Sequence, residues 1–243
     1  MPNWEIEGIT GLATDYVSGK VIAAHQHIDH HQIVHAEDGI FRVSSDSASW
    51  VVPPGRAIWM PAGKVHTIRC YTPVKMRTLY LDRSNNLDMD DCSVWSVSAL
   101  MREIIVRLAE GSSRGMEQHL IPLLFSEIET LNTLPMKLPQ PTDNRLRSIT
   151  CTISRHPADK RSLKEWARQL GFSQRNLIRR FQIETGMTFR QWRRQSRLLS
   201  SLERLANNEP VTRIALELGY ESPSAFSVAF KETFGVTPRQ YFS

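Results

Sequence analysis

Cysteine, long apolar runs and a leader-like start are what this 243-residue chain has least of, and each shortage removes a class of protein. Three cysteines, Cys70, Cys92 and Cys151, are too few and too scattered for a disulfide framework or for Cys-based zinc spacing. All three are expected as reduced thiols. No apolar run approaches the ~18 residues a membrane span needs, and the opening Met-Pro-Asn-Trp-Glu-Ile-Glu has neither a basic n-region nor an apolar h-region. The expectation is a cytoplasmic protein with no membrane partner.

Charge is plentiful and unevenly placed. Residues 1 to 142 carry 12 Lys+Arg against 16 Asp+Glu and residues 143 to 243 carry 18 against 9, so a net −4 precedes a net +9. A basic C-terminal half suggests a polyanion, most often nucleic acid, while the acidic half argues against a chain that coats phosphate along its length. The length allows two domains, each with its own core.

The first half reads as β-rich. Short apolar runs at residues 21–24, 32–35, 40–43, 50–52, 57–60, 66–70 and 76–81 are separated by turn chemistry such as Glu37-Asp38-Gly39, Pro53-Pro54-Gly55 and Pro61-Ala62-Gly63. Many short strands with such turns predict a sandwich or barrel. Within them lie His25-Gln26-His27, then Gln32, then Pro61-Ala62-Gly63-Lys64-Val65-His66. This resembles the two motifs of a cupin, a small jelly-roll barrel in which an H-x-H pair, an acidic residue and a later histidine supply four metal ligands. His25, His27 and His66 match, and Gln32 stands where the Glu would be. Residues two apart on a strand share a face, so the first pair can share one ion. Gln in place of the carboxylate removes a negative charge and weakens a divalent site, leaving three imidazoles and an amide oxygen, a set tolerable for zinc, nickel or iron. The alternative is that these histidines line a polar pocket, bonded to one another or to water, in a barrel that takes an organic effector or nothing. His30, His31 and His35 read as exposed or strand-edge residues.

Between residues 91 and 134 the period changes from two to three and four. Val94, Val97, Leu100, Met101, Ile104, Ile105 and Leu108 predict an amphipathic helix of roughly four turns ending near Gly111. Leu120, Leu123, Leu124, Ile128 and Leu131 predict a shorter one with Pro122 in its first turn. The pair could pack on the barrel or form a dimer interface. Residues 133–143, with Pro135, Pro139 and Pro141, have the composition of a stiff linker. The expected domains are therefore a barrel at 1–90, a helical segment at 91–132, the linker, and a C-terminal domain at 144–243.

That last domain repeats itself. Leu163, Ala167, Leu170, Gly171 and Phe172 recur 48 positions later as Val211, Ala215, Leu218, Gly219 and Tyr220. After one inserted residue, Ser173, Leu177, Phe181, Gly186, Thr188, Arg190 and Trp192 recur at 49 as Ser222, Phe226, Phe230, Gly235, Thr237, Arg239 and Tyr241. Duplication of a structural unit is the simplest account. The unit is helix, tight turn, helix, at about 163–184 and 211–234: Ser162 with Glu165 forms a capping box, Gly171 ends the first helix and Ser173 starts the next. Thr188 with Gln191 opens a connecting helix to about Asn207, about 28 Å long and close to the ~34 Å of one DNA turn. Two reading helices at its ends could enter successive major grooves if the DNA bends somewhat. Leu163, Trp166, Phe172, Trp192, Phe226 and Phe230 are expected as core.

Here the chain resembles the AraC/XylS family of bacterial transcription regulators. The carrying residues are Leu163-Lys-Glu-Trp-Ala167, Leu170-Gly-Phe-Ser173, Leu177-Ile-Arg-Arg-Phe181, Glu184-Thr-Gly186, Ile214-Ala-Leu-Glu-Leu-Gly-Tyr220, Phe226-Ser-Val-Ala-Phe230 and Phe234-Gly-Val-Thr-Pro238. The resemblance implies binding to double-stranded promoter DNA, often activation through RNA polymerase, homodimerisation, and control by a small-molecule effector in the N-terminal domain. Its groove-facing positions fall on Arg175, Ile178 and Arg179, flanked by Gln174 and Asn176. A guanidinium can bond guanine O6 and N7 together, so Arg175 and Arg179 are the expected base readers, Ile178 a contact for a thymine methyl, and Arg180 a phosphate contact. The second motif offers Ser224, Ser227 and Val228, with Ser222 and Lys231 for docking. The expected reader is thus asymmetric, and the chain is expected not to be an enzyme. The alternatives are a cupin-type metalloenzyme carrying a DNA-binding domain and an effector-independent dimeric regulator.

Overall fold

The computed structural model describes residues 4–6, 8–85, 87, 89–111 and 115–242; residues 1–3 and 7 of the opening heptapeptide lie outside them. The strands are β1 (Trp4–Ile6), β2 (Ile9–Tyr16), β3 (Val21–His25), β4 (His30–Asp38), β5 (Phe41–Ser44), β6 (Ala48–Val52), β7 (Arg56–Met60), β8 (His66–Cys70), β9 (Val74–Asp82), β10 (Ser93–Ser96), β11 (Asn132–Thr133) and β12 (Lys137–Pro139). They form a seven-stranded sheet in the order β1-β2-β9-β4-β7-β10-β11 and a five-stranded sheet in the order β12-β6-β5-β8-β3. This is the expected all-β N-terminal domain, as two antiparallel sheets. Gly39 closes one of its tight turns at φ 78°, where an added Cβ would lie 2.0 Å from the Pro73 carbonyl oxygen, so only glycine fits.

Alternation along β4 divides the seven-stranded sheet chemically. Ile33 and His35 share one face with Ala57 and Trp59 of β7 and with Leu79 and Leu81 of β9, the strands pairing Ile33 with Trp59 and with Leu79. The apolar members of this face pack under two helices, α1 (Ala99–Glu110) and α2 (Glu117–Glu129), through Met101, Ile104, Ile105, Leu108, Leu120, Ile121, Leu124 and Ile128. Each fully buried side chain of this size contributes about 1.5–3 kcal/mol. Gln32 and Val34 point the other way.

Several local expectations change. Val94 belongs to β10, and α1 starts only at Ala99, because the Ser98 hydroxyl accepts the Met101 N–H and sets the N-cap. Leu100 is half exposed, off the buried face. Pro122 is the sixth residue of α2 rather than a first-turn residue; the helix, at 13 residues, is not the shorter of the two, since burial of one apolar face outweighs the backbone bond that proline removes. His35 is buried, with an exposure of 0 %, because β4 lies between β9 and β7 rather than at an edge. Residues 133–143 carry β12 and the end of β11, so part of the proline-rich stretch is paired strand; Met136 is buried, and its carbonyl accepts the Val51 N–H.

The chain divides into two units, Met1–Ser45 with Trp50–Lys137 and Asp46–Ser49 with Leu138–Ser243. The second carries α3 (Asn144–Arg155), α4 (Leu163–Leu170), α5 (Gln174–Thr185), α6 (Phe189–Ala206), α7 (Val211–Glu217) and α8 (Pro223–Phe234). Its core is aromatic, with Trp166, Phe181, Trp192, Phe226 and Phe230 at 1 % exposure or less; Leu163 and Phe172, expected with them, are only half-buried. Cys70, Cys92 and Cys151 are unpaired.

Candidate nucleic-acid interface and effector site

Both helix-turn-helix units form where the repeat places them. In the first, Ser162 and Glu165 make the capping box of α4, Gly171 ends it at φ 70°, and the Ser173 hydroxyl accepts the Asn176 N–H to start α5. In the second, α7 begins after Pro210 without a side-chain cap, and Ser222, with Pro223 as first helical residue, starts α8 by accepting the Ala225 N–H. Leu177 and Phe181 in α5, and Phe226 and Phe230 in α8, turn inward at 0 % exposure. Their opposite faces are left to solvent.

On α5 that exposed face carries Gln174, Arg175, Ile178 and Arg179. Among the described residues neither the Arg175 nor the Arg179 guanidinium has an ion-pair partner. Ile178 is 42 % exposed, an apolar side chain set between two free cations. Arg180 differs: its Nη1 lies 3.2 Å from Asp143 Oδ2, the carboxylate that also caps α3 by accepting the Arg145 and Leu146 N–H groups. One turn on, Glu184 accepts the Thr142 and Asp143 N–H groups at 2.8 and 2.9 Å. Arg180 and Glu184 thus fasten the back of the reading helix to the start of α3. Asn176 is half-buried, at the flank of the exposed face. On α8, Ser224, Val228 and Lys231 are exposed, while the Ser227 hydroxyl donates to the Pro223 carbonyl of its own helix at 2.9 Å.

The connecting helix α6, 18 residues and about 27 Å long, holds a set of arginines that sequence reasoning did not single out. Arg193 donates to the Arg161 carbonyl before α4 and stacks over Phe189. Arg197 donates to the Pro157 carbonyl at 2.8 Å and the Gly219 carbonyl at 3.3 Å, joining the loop after α3 to the end of α7. An added Cβ at Gly219 would meet Ala158 Cα and Arg197 Nη2, both at 2.9 Å, so this junction admits no side chain. Arg194 reaches the Ala229 carbonyl of α8, and Arg204 pairs with Glu209 and Glu217. Burial holds the Arg193 and Arg197 guanidiniums below their usual range. These cations are engaged with carbonyls and carboxylates of their own domain. A signal existed: residues 193, 197 and 204 fall within about 40° of one another on a helix.

In the N-terminal unit, β3, the turn after it and β8 bring His25, His27 and His66 together with ligand nitrogens within 4.8 Å of one another. His25 pairs with His66 across the strands, and their rings lie 4.2 Å apart. His25 Nδ1 donates to the Ala23 carbonyl at 2.8 Å and His66 Nδ1 to the Lys64 carbonyl at 2.9 Å. A carbonyl can only accept, so in the neutral rings the proton sits on Nδ1 and the Nε2 lone pair is free. Burial pushes His66 down to about 4 and lowers His27, with the neighbouring imidazoles adding to both. The Nε2 atoms of His27 and His66 are buried without a partner. Gln32 lies on β4 in the other sheet, bonded to the Tyr80 hydroxyl, and the Tyr80 ring is 5.1 Å from His27. Gln32 therefore reaches the trio through Tyr80, a neighbour that the motif spacing did not reveal. His35, on the opposite face, has its Nδ1 3.0 Å from the Arg56 carbonyl and is pushed by burial to about 4; it takes no part in the trio.

Residues 166–243 match the helix-turn-helix domain family and residues 8–125 the AraC-like ligand binding domain family. The chain is 31% identical over 216 residues to the HTH-type transcriptional regulator NimR of Escherichia coli strain K12, covering 87% of this chain and 79% of the relative. It is 25% identical over 187 residues to the HTH-type transcriptional activator RhaR of Enterobacter sp. strain 638, covering 70% and 66%. Among solved structures, ToxT from Vibrio cholerae O395 aligns over 97% of both chains at 15% identity with a TM-score of 0.41.

Proposed function

The chain belongs to the AraC family of DNA-binding transcription regulators with an N-terminal ligand-binding domain, and from that premise we propose that it reads promoter DNA with two unequal helices in successive major grooves. The carrying observation is the pair of unpaired guanidiniums, Arg175 and Arg179, on the exposed face of α5. They read guanines, Ile178 packs on a thymine methyl, and Gln174 and Asn176 contact the flanks. On α8, Ser222, Ser224, Ser227, Val228 and Lys231 dock the second helix with little base discrimination. Arg180, tied to Asp143, supports the reading helix from behind. The test is selection of bound sequences from a random library by the purified chain, followed by footprinting. Two protected segments one helical turn apart, with information concentrated in one, are expected; a single protected segment would sink the two-groove reading.

The relatives are transcription regulators, and no catalytic role is assigned to the barrel. Control comes instead from an occupant of the histidine trio. Two orphaned, buried Nε2 atoms and a fixed Nδ1–H tautomer fit a zinc, nickel or iron ion, held by His25, His27 and His66. Such an ion would supply a positive anchor binding β3 to β8. An organic effector hydrogen-bonded to the same nitrogens is the other occupant. Metal analysis after purification without chelators decides between them: near-stoichiometric metal that falls away in His66→Ala supports the ion, and a content near zero removes it. Exposed Leu100 and Leu123 on α1 and α2 support a homodimer through these helices, and RNA polymerase is the partner at an activated promoter. No helix among the described residues is long and apolar enough to cross a membrane, and the cytoplasm is the proposed compartment.

A further inference from the structure

Outside the histidine trio, the N-terminal unit holds a second recess, a cavity of about 440 Å³ between β4, the loop before β8 and the segment after β9. Its described polar lining is Lys64, Arg83, His31, Asn85 and Asp90. Lys64 and Arg83 face it, and among the described residues neither has a carboxylate partner. The third donor is His31. The Ala62 N–H donates to His31 Nδ1 at 3.1 Å, so that nitrogen bears no proton and the neutral ring can only donate, from Nε2. The His31 ring stacks on Trp59 with centroids 4.9 Å apart, and Trp59 Nε1 donates to the Met89 carbonyl at 3.0 Å, which pins the far wall. The near wall is tied down as well, by the Gly63 N–H on the His27 carbonyl at 2.8 Å and by His66 on the Lys64 carbonyl. Met89, Gly63 and Lys64 are therefore held before any ligand arrives.

We propose that this recess binds an organic monocarboxylate as an effector, an inference that rests on reading the N-terminal unit as a ligand-controlled domain. Lys64, Arg83 and His31 offer donors alone, which selects an anion. Among the described lining residues Asp90 offsets one of the two cationic charges, which favours a singly charged group over a phosphate dianion. Leu87 and Met89 supply apolar wall for a carbon tail.

Isothermal titration of the full chain with octanoate, and with octanamide as its uncharged isostere, tests the assignment. Octanoate is expected to bind, and octanamide to bind at least about tenfold more weakly. Lys64→Met and Arg83→Met should each weaken octanoate by a similar factor, Lys64→Arg should restore it, and Lys20→Met, which removes a cation outside the recess, should leave it unchanged. Equal affinity for octanamide, undiminished affinity in both methionine variants, or no octanoate binding overturns the proposal. Displacement of octanoate by an equal concentration of inorganic phosphate overturns the choice of carboxylate. The titration needs neither DNA nor metal, so its failure is distinguishable from failure of the DNA-reading or histidine-trio proposals.

Discussion

The two helix-turn-helix copies share a skeleton and differ in almost everything that faces outward. Leu177 and Phe181 correspond to Phe226 and Phe230, all at 0 % exposure, and both second helices start at a capping serine and end at a left-handed glycine. At the reading positions Arg175, Ile178 and Arg179 correspond to Ser224, Ser227 and Val228. Behind them the scaffold diverges too. Arg180 and Glu184 clamp the start of α3, whereas their counterparts Ala229 and Thr233 have no such side chains, and the Ala229 carbonyl instead receives Arg194 from α6. Core positions are constrained by the same packing problem twice, while surface positions carry no such packing constraint, so duplication preserves the first and lets the second drift.

The comparison can be broken most forcefully in the core. Phe181→Ala and Phe226→Ala should each destabilise the C-terminal unit by about 3–5 kcal/mol, since each removes a fully buried ring. Denaturation curves measure this; a variant that melts one copy and spares the other would show that the copies fold separately. Next comes base reading. Arg175→Ala should cost about 1–3 kcal/mol in binding and relax selection at one base pair, whereas Ser224→Ala should leave the selected sequence unchanged. Loss of equal size on specific and random DNA would remove Arg175 from the readers.

A smaller effect, about tenfold or 1.4 kcal/mol, is expected of Arg197→Met, which removes the tie between the α3–α4 loop and the end of α7. Binding to a site containing only the first motif's half should survive, binding to the full site should fall, and the preference for one half-site spacing should flatten. Parallel losses on half and full sites would mean general destabilisation. Capping separates the copies by about 1 kcal/mol: Ser162→Ala removes a capping box from α4, and α7 has no side-chain cap to lose. Smallest of all, Lys231→Gln should weaken binding uniformly across sequences and lower the salt slope by about one. Any change in sequence preference would promote Lys231 from docking to reading.

Much of this was legible in the chain because it rests on short-range rules. The residues 66–70 run became β8, the Ser162–Glu165 and Thr188–Gln191 boxes cap α4 and α6, and the offset repeat located both motifs. Where several local rules agree, the element is nearly decided before it packs. Pattern failed where the partner lies far away in sequence. His35 looked like an edge residue until β9 and β7 flanked it, and Val94 fitted a helical period until it paired with Ile58 of β7. Arg180 was expected as a phosphate contact, and its bond to Asp143, 37 positions back, was not legible from its spacing.

By itself, then, the sequence determined the architecture of two units, the doubled reading motif and which imidazoles could meet, because periodicity, caps and internal repetition act within a few residues or by self-similarity. Tertiary structure alone decided which cations are free. The C-terminal half has 18 of them, yet Arg180, Arg193, Arg194, Arg197 and Arg204 are engaged with carbonyls and carboxylates of their own domain, while among the described residues Arg175 and Arg179 are not. Charge is a property of residues, but availability depends on which distant groups the fold brings within hydrogen-bonding reach.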